Sequence, residues 1–369
     1  MFVAPTKEIG LILLTAGLFC WGSWPALRRN CAVEVGAFCP INVVSQLLTS
    51  VLLCLTLGMC VTGEAGGDVR FVDAIREQPL DLRAGAVFLG GFLLGNGDHI
   101  GALVMEHIGS LSYPVYAGVA LVGGNLFNLL QVGTPNLGRL LVGLSLILFA
   151  ILCMAWAVRQ KEGAEAAEKG VQEALLPITG EEGLVEGTGR EGGLEKGEKG
   201  GKKKLSVHVA LTMCVMAGCC GSGWSPLSTY ARPDVEEGGD DYGGLHNPYV
   251  CLFIFVLGEC CAIPGVVFLG SKVNGGGLLD GFKELTGRKL LWGCGCGFLI
   301  NLGYLGYFAS SVVVAPNVAF SIASCNPLLS IVIDWTTGQF DGVERRTKVA
   351  LAASIALYGA AIATLTSIA

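Results

Sequence analysis

The sequence predicts an all-α polytopic membrane protein with ten transmembrane helices, arranged as two inverted five-helix repeats. Three observations lead to this prediction. Of the 369 residues, 52% are hydrophobic and 15% are charged, and the mean hydropathy is +0.61, which is high for a soluble protein of this length. The charged residues lie between long apolar segments. The first segment of each half also carries nearly the same short string of Gly, Trp and Pro.

Ten apolar segments are long enough to cross a bilayer as helices, which requires about 20 residues each. They cover residues 9–27, 41–61, 84–105, 110–130 and 137–158 in the first half, and 205–226, 248–269, 289–308, 312–333 and 349–368 in the second. Strands of a β-barrel would alternate apolar and polar residues, whereas several of these segments are almost continuously apolar. We therefore expect membrane-spanning helices.

The apolar segments divide the chain into two repeats and a linker. The first repeat is predicted to cover residues 1–158 and the second residues 205–369. Residues 159–204 are rich in Gly, Glu and Lys, a composition that buries too little apolar surface to fold. We expect this segment to be a disordered cytosolic linker.

The distribution of basic residues predicts the orientation in the membrane. Of the 24 Lys and Arg residues, 18 lie in the loops that follow spans one, three, five, seven and nine. Because Lys and Arg are enriched on the cytosolic side, both termini are predicted to be outside and the linker inside. With five spans in each half, the second half enters the membrane in the opposite sense to the first. The repeats are then inverted, as in many secondary transporters.

Two pairs of similar strings support an internal duplication. Gly22–Pro25 in span one resembles Gly221–Pro226 in span six, and Gly91–Asn96 in span three resembles Gly297–Asn301 in span eight. A proline inside a span leaves a backbone carbonyl without its helical hydrogen bond, so the helix can bend there. The predicted hinges are Gly22, Pro25, Gly223 and Pro226, and the adjoining Trp24 and Trp224 are predicted substrate contacts. Simple kinks at helix ends are the alternative interpretation.

Asparagine side chains within the spans are the second group of predicted substrate contacts. They are Asn96, Asn125, Asn301 and Asn326. An amide is costly to expose to lipid and offers both hydrogen-bond donors and an acceptor, which suits a neutral ligand such as a urea derivative, a nucleobase or a sugar. An anionic ligand would require a buried Arg or Lys, and the sequence has none at mid-span. For each single Asn, a hydrogen bond between helices is an equally good interpretation.

Two carboxylates lie within predicted spans and are candidates for proton coupling. Asp98 lies in span three and Glu259 in span seven. Ionisable groups are rare within a bilayer and often mark ion or proton pathways. Each of the two could therefore bind and release a coupled proton. For Glu259, a structural pairing with a neighbouring polar side chain is the competing interpretation.

Other functional classes lack support in the sequence. The 15 cysteines include no Cys-x-x-Cys pair, and most fall within spans, so we expect no metal site and no disulfide framework. No nucleophile and base pair or phosphate-binding loop is present, and we predict neither an enzyme nor a cofactor. The expected partners are the lipid bilayer, a small neutral solute and a coupling proton, with no nucleic acid.

Several short motifs resemble those of plant ureide permeases. They are Gly22–Ala26, Leu94–Asn96, Gly123–Leu126, Ser225–Pro226 and Gly297–Asn301. Ureide permeases belong, with bacterial glucose/ribose and rhamnose permeases, to the drug/metabolite transporter superfamily. The resemblance covers both halves and omits the linker.

That resemblance implies a ten-helix, proton-coupled secondary transporter that imports ureides such as allantoin, or nucleobases such as uracil. It also implies a plasma-membrane location. The Trp224–Leu227 segment departs in part from the aromatic-Ser-Pro-Ala run expected in that family. A sugar or nucleotide-sugar transporter of the same superfamily is the alternative, and a non-transporting receptor or scaffold is an alternative of a different class.

Overall fold

The computed structural model consists of helices throughout the part of the chain that it describes. It describes residues 4, 6–31, 33–60, 70–108, 112–132, 136–175, 205–231, 245, 247–274, 280–283, 285–338 and 340–367. These residues form 14 α-helices and one 3-10 turn and no β-strand. The all-α prediction is therefore confirmed for them.

The helices of the first half follow the predicted spans closely. They are α1 (Lys7–Cys31), α2 (Val35–Thr56), the short α3 (Phe71–Glu77), α4 (Leu82–Ile108), α5 (Ser112–Val132) and α6 (Leu137–Leu175), with the 3-10 turn Leu57–Met59 after α2. Spans one to five thus correspond to α1, α2, α4, α5 and α6.

Two spans of the second half are each divided into two helices. The helices are α7 (Val207–Ser222), α8 (Trp224–Tyr230), α9 (Pro248–Asn274), α10 (Asp280–Lys283), α11 (Gly287–Ser310), α12 (Pro316–Ala323), α13 (Asn326–Thr336) and α14 (Arg345–Thr366). Span six is divided between α7 and α8, and span nine between α12 and α13. A proline stands in the first turn of α8, α12 and α13, where a missing N–H is tolerated.

Eight segments of the described chain are long and apolar enough to cross a membrane. They correspond to spans one, two, three, five, seven, eight, nine and ten. In span four the apolar helix is shorter, Val115–Gln131, and span six is interrupted, so the number ten remains a prediction. Large apolar side chains point outward along the bundle, among them Leu48, Leu130 and Phe149. This is the architecture of an integral, multi-pass membrane protein.

Helix α6 extends well beyond its predicted span, into residues that were predicted to form a disordered linker. Residues 159–175 of that segment continue the helix to Leu175. They are rich in Ala, Glu, Gln and Lys, which have high helix propensity, and a helix already formed propagates easily into such a sequence. The rest of the predicted linker, residues 176–204, lies outside the described residues.

The two halves interlock, because most helices pack against helices of the other half. Helix α1 packs on α11, α2 on α9, and α6 on α14. Helix α4 packs on α9, α7 and α8, while α5 packs on α7. About three quarters of the buried apolar side chains form one continuous cluster across both halves. The centre of the molecule is therefore the boundary between the halves.

Glycines allow the closest helix crossings, which are those of α4 with α9 and of α11 with α2. A Cβ atom on Gly91 of α4 would lie 1.9 Å from the backbone oxygen of Phe255 in α9. A Cβ atom on Gly297 of α11 would lie 2.2 Å from the backbone oxygen of Asn42 in α2. Any larger residue would separate these helices, so both crossings require glycine.

Candidate functional site

A cavity of about 70 Å³ lies at mid-depth between the two halves. Helices α1, α4 and α5 of the first half and α7, α8, α11, α12 and α13 of the second half contribute residues to its wall. Both interrupted spans reach it, through Gly221 and Trp224 of span six and through Ser324 and Asn326 of span nine. Irregular backbone within a membrane is tolerated where it lines a cavity. The position of both helix breaks at this cavity fits that rule.

Seven of the 16 described residues that line the cavity are aromatic. Trp224 is central to them, since its ring lies 6.2 Å from that of Trp21 and 5.6 Å from that of Phe320 in mostly perpendicular geometry. On the other side, the rings of Trp24 and Tyr113 lie 6.3 Å apart. These edge-to-face contacts hold the rings in fixed orientations and present flat apolar faces to the cavity.

One charged residue, Asp98, contributes to the wall. Its Oδ1 atom accepts a hydrogen bond from the hydroxyl of Tyr116, which also lines the cavity. The other polar groups on the wall include Ser324 and Asn326, and none of the described residues on the wall is Lys, Arg or His. The cavity therefore offers negative charge and hydrogen-bonding groups to a ligand, with no cationic partner.

Glu259 lies one residue behind the wall. It is 1% exposed, and its Oε1 atom accepts a 2.6 Å hydrogen bond from the hydroxyl of Tyr304, which lines the cavity. Its Oε2 atom has no hydrogen-bond partner. Tyr304 thus connects this carboxyl to the cavity.

The predicted asparagine contacts divide into two groups. Asn326 lines the cavity. The amide of Asn96 donates to Phe92 O of its own helix (2.8 Å), and that of Asn301 donates to Gln46 O in α2 (2.9 Å). Asn125 accepts a 2.7 Å bond from Ser321 in α12. The structure therefore uses Asn125 and Asn301 to join helices and does not bring Asn96, Asn125 or Asn301 to the cavity wall.

The predicted hinges differ between the two halves. Gly223 stands at the break between α7 and α8, and Pro226 lies in the first turn of α8. In the first half, α1 continues unbroken through Gly22 and Pro25. A Cβ atom on Gly22 would lie 2.4 Å from that of Leu329 in α13, so this glycine permits close helix packing. The predicted Trp24 and Trp224 both line the cavity.

Sequence reasoning missed several wall residues, namely Trp21, Tyr113, Tyr116, Tyr304, Phe320 and Ser324. Tryptophans near the ends of predicted spans usually anchor a protein at the membrane interfaces, so only Trp24 and Trp224 were predicted as substrate contacts. Tyr304 lies inside span eight, four residues before its predicted end. A tyrosine within a predicted span was therefore the signal that could have identified it.

A second polar cluster lies at the ends of α1 and α4, the cytosolic side in the predicted orientation. Arg28 forms a 2.9 Å ion pair with Glu106, whose Oε1 also accepts the backbone N–H of Val35 at 2.8 Å. The other carboxylate oxygen of Glu106 accepts a 3.3 Å bond from Asn274 of α9. Glu106 therefore connects α1, α2 and α4 of the first half to a helix of the second.

The thiols and possible metal ligands are dispersed. All 15 cysteines are free, and no three His, Cys, Asp or Glu side chains are grouped to hold a metal ion in the part of the chain that the structure describes.

Comparisons with known proteins give information about the fold only. No family model matches the chain, and no curated protein matches it. Among the solved structures, 17 chains match. One of them, described only as the crystal structure of a protein, has a TM-score of 0.60 and 12% sequence identity, with 98% of this chain and 98% of that chain covered. The shared architecture extends over nearly the whole chain, and at this identity the likeness shows the fold alone.

Proposed function

We propose that the protein is a secondary active transporter that imports neutral ureides or nucleobases, such as allantoin or uracil, with a proton as the coupling ion. The observation that carries this proposal is the cavity between the halves, which the described residues line with several aromatic rings, one carboxylate and no basic side chain. In this proposal the protein lies in the plasma membrane with both termini outside.

The pattern of helix packing supports ten spans in two inverted repeats. If spans one to five correspond to spans six to ten, the packing of α1 on α11 should be matched by that of α7 on α4, and both occur. The packing of α4 on α9 is likewise matched by that of α11 on α2, and α5 on α7 by α13 on α1. The crossings at Gly91 and Gly297 correspond in the same way. Such symmetry suits a protein that exposes one central site to each side in turn.

The chemistry of the wall suits a flat, neutral, nitrogen-rich solute. Heterocyclic faces can stack on Trp24 and Trp224, while N–H groups can donate to Asp98 and to the amide oxygen of Asn326. An anionic solute would be placed beside a carboxylate with no basic residue on the wall to compensate it. This disfavours nucleotide sugars, whereas a neutral sugar, which can also stack on indole rings, is the second candidate.

The described conformation is contracted. Its cavity of about 70 Å³ is about half the size of an engineered cavity that binds benzene, which is about 150 Å³. A nucleobase or ureide is at least as large as benzene, so the helices around the cavity must separate to admit it. The helices are interrupted at Gly223 and at Ser324, so separation of the helices would disrupt little helical structure at these two breaks.

Asp98 is better placed than Glu259 to exchange a proton with a bound solute. Its carboxyl lies on the cavity wall, whereas Glu259 reaches the cavity only through Tyr304. A proton on Asp98 would turn the carboxylate into a hydrogen-bond donor and change its affinity for the solute. Proton binding and solute binding would then be linked.

A solute panel tests this proposal. The purified protein in proteoliposomes is given labelled allantoin, uracil, glucose or a nucleotide sugar, with and without an inward proton gradient. We expect uptake of allantoin or uracil and none of the nucleotide sugar. Uptake of glucose alone would instead support the sugar-transporter alternative, and uptake of no solute would support the receptor or scaffold.

A further inference from the structure

Helices α2, α9 and α11 pack on one another, and each of them carries a buried side-chain oxygen without a hydrogen-bond partner. Gln46 Oε1, Asn301 Oδ1 and Glu259 Oε2 are each buried, and none of these three atoms has a hydrogen-bond partner. Asn42, one turn before Gln46 on α2, presents a further unpartnered oxygen. Buried polar atoms are almost always paired in proteins, so several unpaired oxygens on one seam point to a missing ligand.

Contacts along the three helices place these residues at similar depths. At one end of the antiparallel pair, a Cβ atom on Gly270 of α9 would lie 3.5 Å from Val35 of α2, and at the other end Cys54 of α2 donates to Tyr249 O. Gln46 and Glu259 lie near the midpoints of these two stretches and are therefore level.

The third helix meets them at the same depth. Asn301 of α11 donates to the backbone oxygen of Gln46 at 2.9 Å. Tyr304, one turn further along α11, donates to Glu259 at 2.6 Å. The hydrogen bond from Asn301 also fixes its amide so that its oxygen remains free to bind another group.

The chemistry of these atoms suits a small hard cation. Carboxylate and amide oxygens are ligands for such cations, and a transition metal would select imidazole or thiolate instead. In its ionised form the buried Glu259 would require a compensating positive charge, and no ion pair involves Glu259 within the described residues. The three side chains include one carboxylate, whose single negative charge a monovalent cation would neutralise. Calcium sites usually contain more carboxylates than this.

We propose that a sodium ion binds at the junction of α2, α9 and α11, coordinated by the side-chain oxygens of Gln46, Asn301 and Glu259. The role of this ion rests on the proposed function: it would be a second coupling ion beside the proton on Asp98. Tyr304, which contacts Glu259 and lines the cavity, would link the ion to the solute.

Binding of ²²Na⁺ to the purified protein, without any organic solute and at constant ionic strength with choline, tests this site. We expect saturable binding in the wild type. Glu259→Gln removes the charge, and Gln46→Met removes one oxygen while keeping the length of the side chain. Each should weaken the apparent Na⁺ affinity about tenfold or more, a loss of about 1.4 kcal/mol or more.

The control is Asn128→Leu, which removes another buried amide with an unpartnered oxygen, on α5 away from this junction. It should bind ²²Na⁺ as the wild type does. If Glu259→Gln does not fold, Gln46→Met still tests the site. Absence of saturable binding in the wild type would overturn the proposal, as would unchanged affinity in both variants. These results do not depend on solute uptake, so the transport proposal can fail or hold independently.

Discussion

In the proposed function, the coupling of proton and solute transport depends on the carboxyl group of Asp98. It accepts a hydrogen bond from Tyr116 on the cavity wall. Replacement by Asn keeps the shape and cannot exchange a proton. Coupling free energies between two ligands are typically 1–3 kcal/mol, so Asp98→Asn should reduce the stimulation of uptake by a proton gradient by about 5- to 150-fold. The measurement is the ratio of uptake with and without the gradient.

Tyr116→Phe is the matched control for that change, because it removes the hydroxyl that bonds to Asp98 and leaves the carboxyl in place. It should retain gradient stimulation with an altered pH profile. Gradient stimulation that persists in Asp98→Asn would assign the coupled proton to another group.

The ring of Trp224 should contribute directly to solute affinity. It lies on the cavity wall and packs edge-to-face against Trp21 and Phe320. Aromatic contacts are worth about 0.5–1.5 kcal/mol each, so Trp224→Leu should raise the KM for uptake about two- to tenfold. Trp156, which is 44% exposed on the outer surface of α6, provides the control. An equal rise in KM for Trp156→Leu would show that the effect is general.

At the scale of the helices, the crossings at Gly91 and Gly297 should tolerate no side chain. The obstruction in each case is a backbone oxygen of the facing helix, which cannot rotate away. Gly91→Ala and Gly297→Ala should each destabilise the protein by about 1–3 kcal/mol, as overpacking does. Thermal unfolding in detergent measures this.

The control for the glycine variants is Gly85→Ala in α4, because a Cβ atom there meets nothing within 4 Å. Alanine favours a helix over glycine by up to about 1 kcal/mol, so this variant should be as stable as the wild type or more stable. Equal loss of stability in Gly85→Ala and Gly91→Ala would contradict the described crossing.

The cluster around Glu106 should keep the end of the bundle near Arg28 closed. Cys31 lies beside it, is fully buried and donates to Lys289 O; burial raises the pKa of its thiol. A raised pKa leaves little thiolate at neutral pH, so Cys31 should react slowly with a maleimide. Glu106→Gln weakens the ion pair to Arg28 and should speed this labelling several-fold. Peptide mass spectrometry separates Cys31 from the other thiols, and an unchanged rate would contradict a closing role.

Hydropathy predicted the helices well, because about 20 apolar residues in a row leave few alternatives. It could not distinguish the unbroken α1, with Pro25 inside it, from the broken span six, since tertiary packing decides whether a kink becomes an interruption. Hydropathy also could not predict which face of each helix points towards the cavity, so Asn326 and Asn301 were equivalent candidates. The structure places the first on the cavity and the second against α2.

At the scale of the whole molecule, the interlocked halves define how the protein would work. Most helices pack against helices of the other half, and the cavity lies on that boundary. Movement of one repeat relative to the other would open the cavity to one side and then to the other. The wall residues would stay together at the centre while the cluster around Glu106 separates when the cavity opens to its side.

The central claim is that a proton gradient drives a neutral nitrogenous solute through this cavity. The most direct test is accumulation of labelled allantoin or uracil in proteoliposomes that have an acidic exterior and contain no other solute gradient. We predict accumulation above the external concentration, which disappears when an ionophore dissipates the gradient. Internal solute that never exceeds the level in protein-free liposomes, with either compound, would contradict the claim.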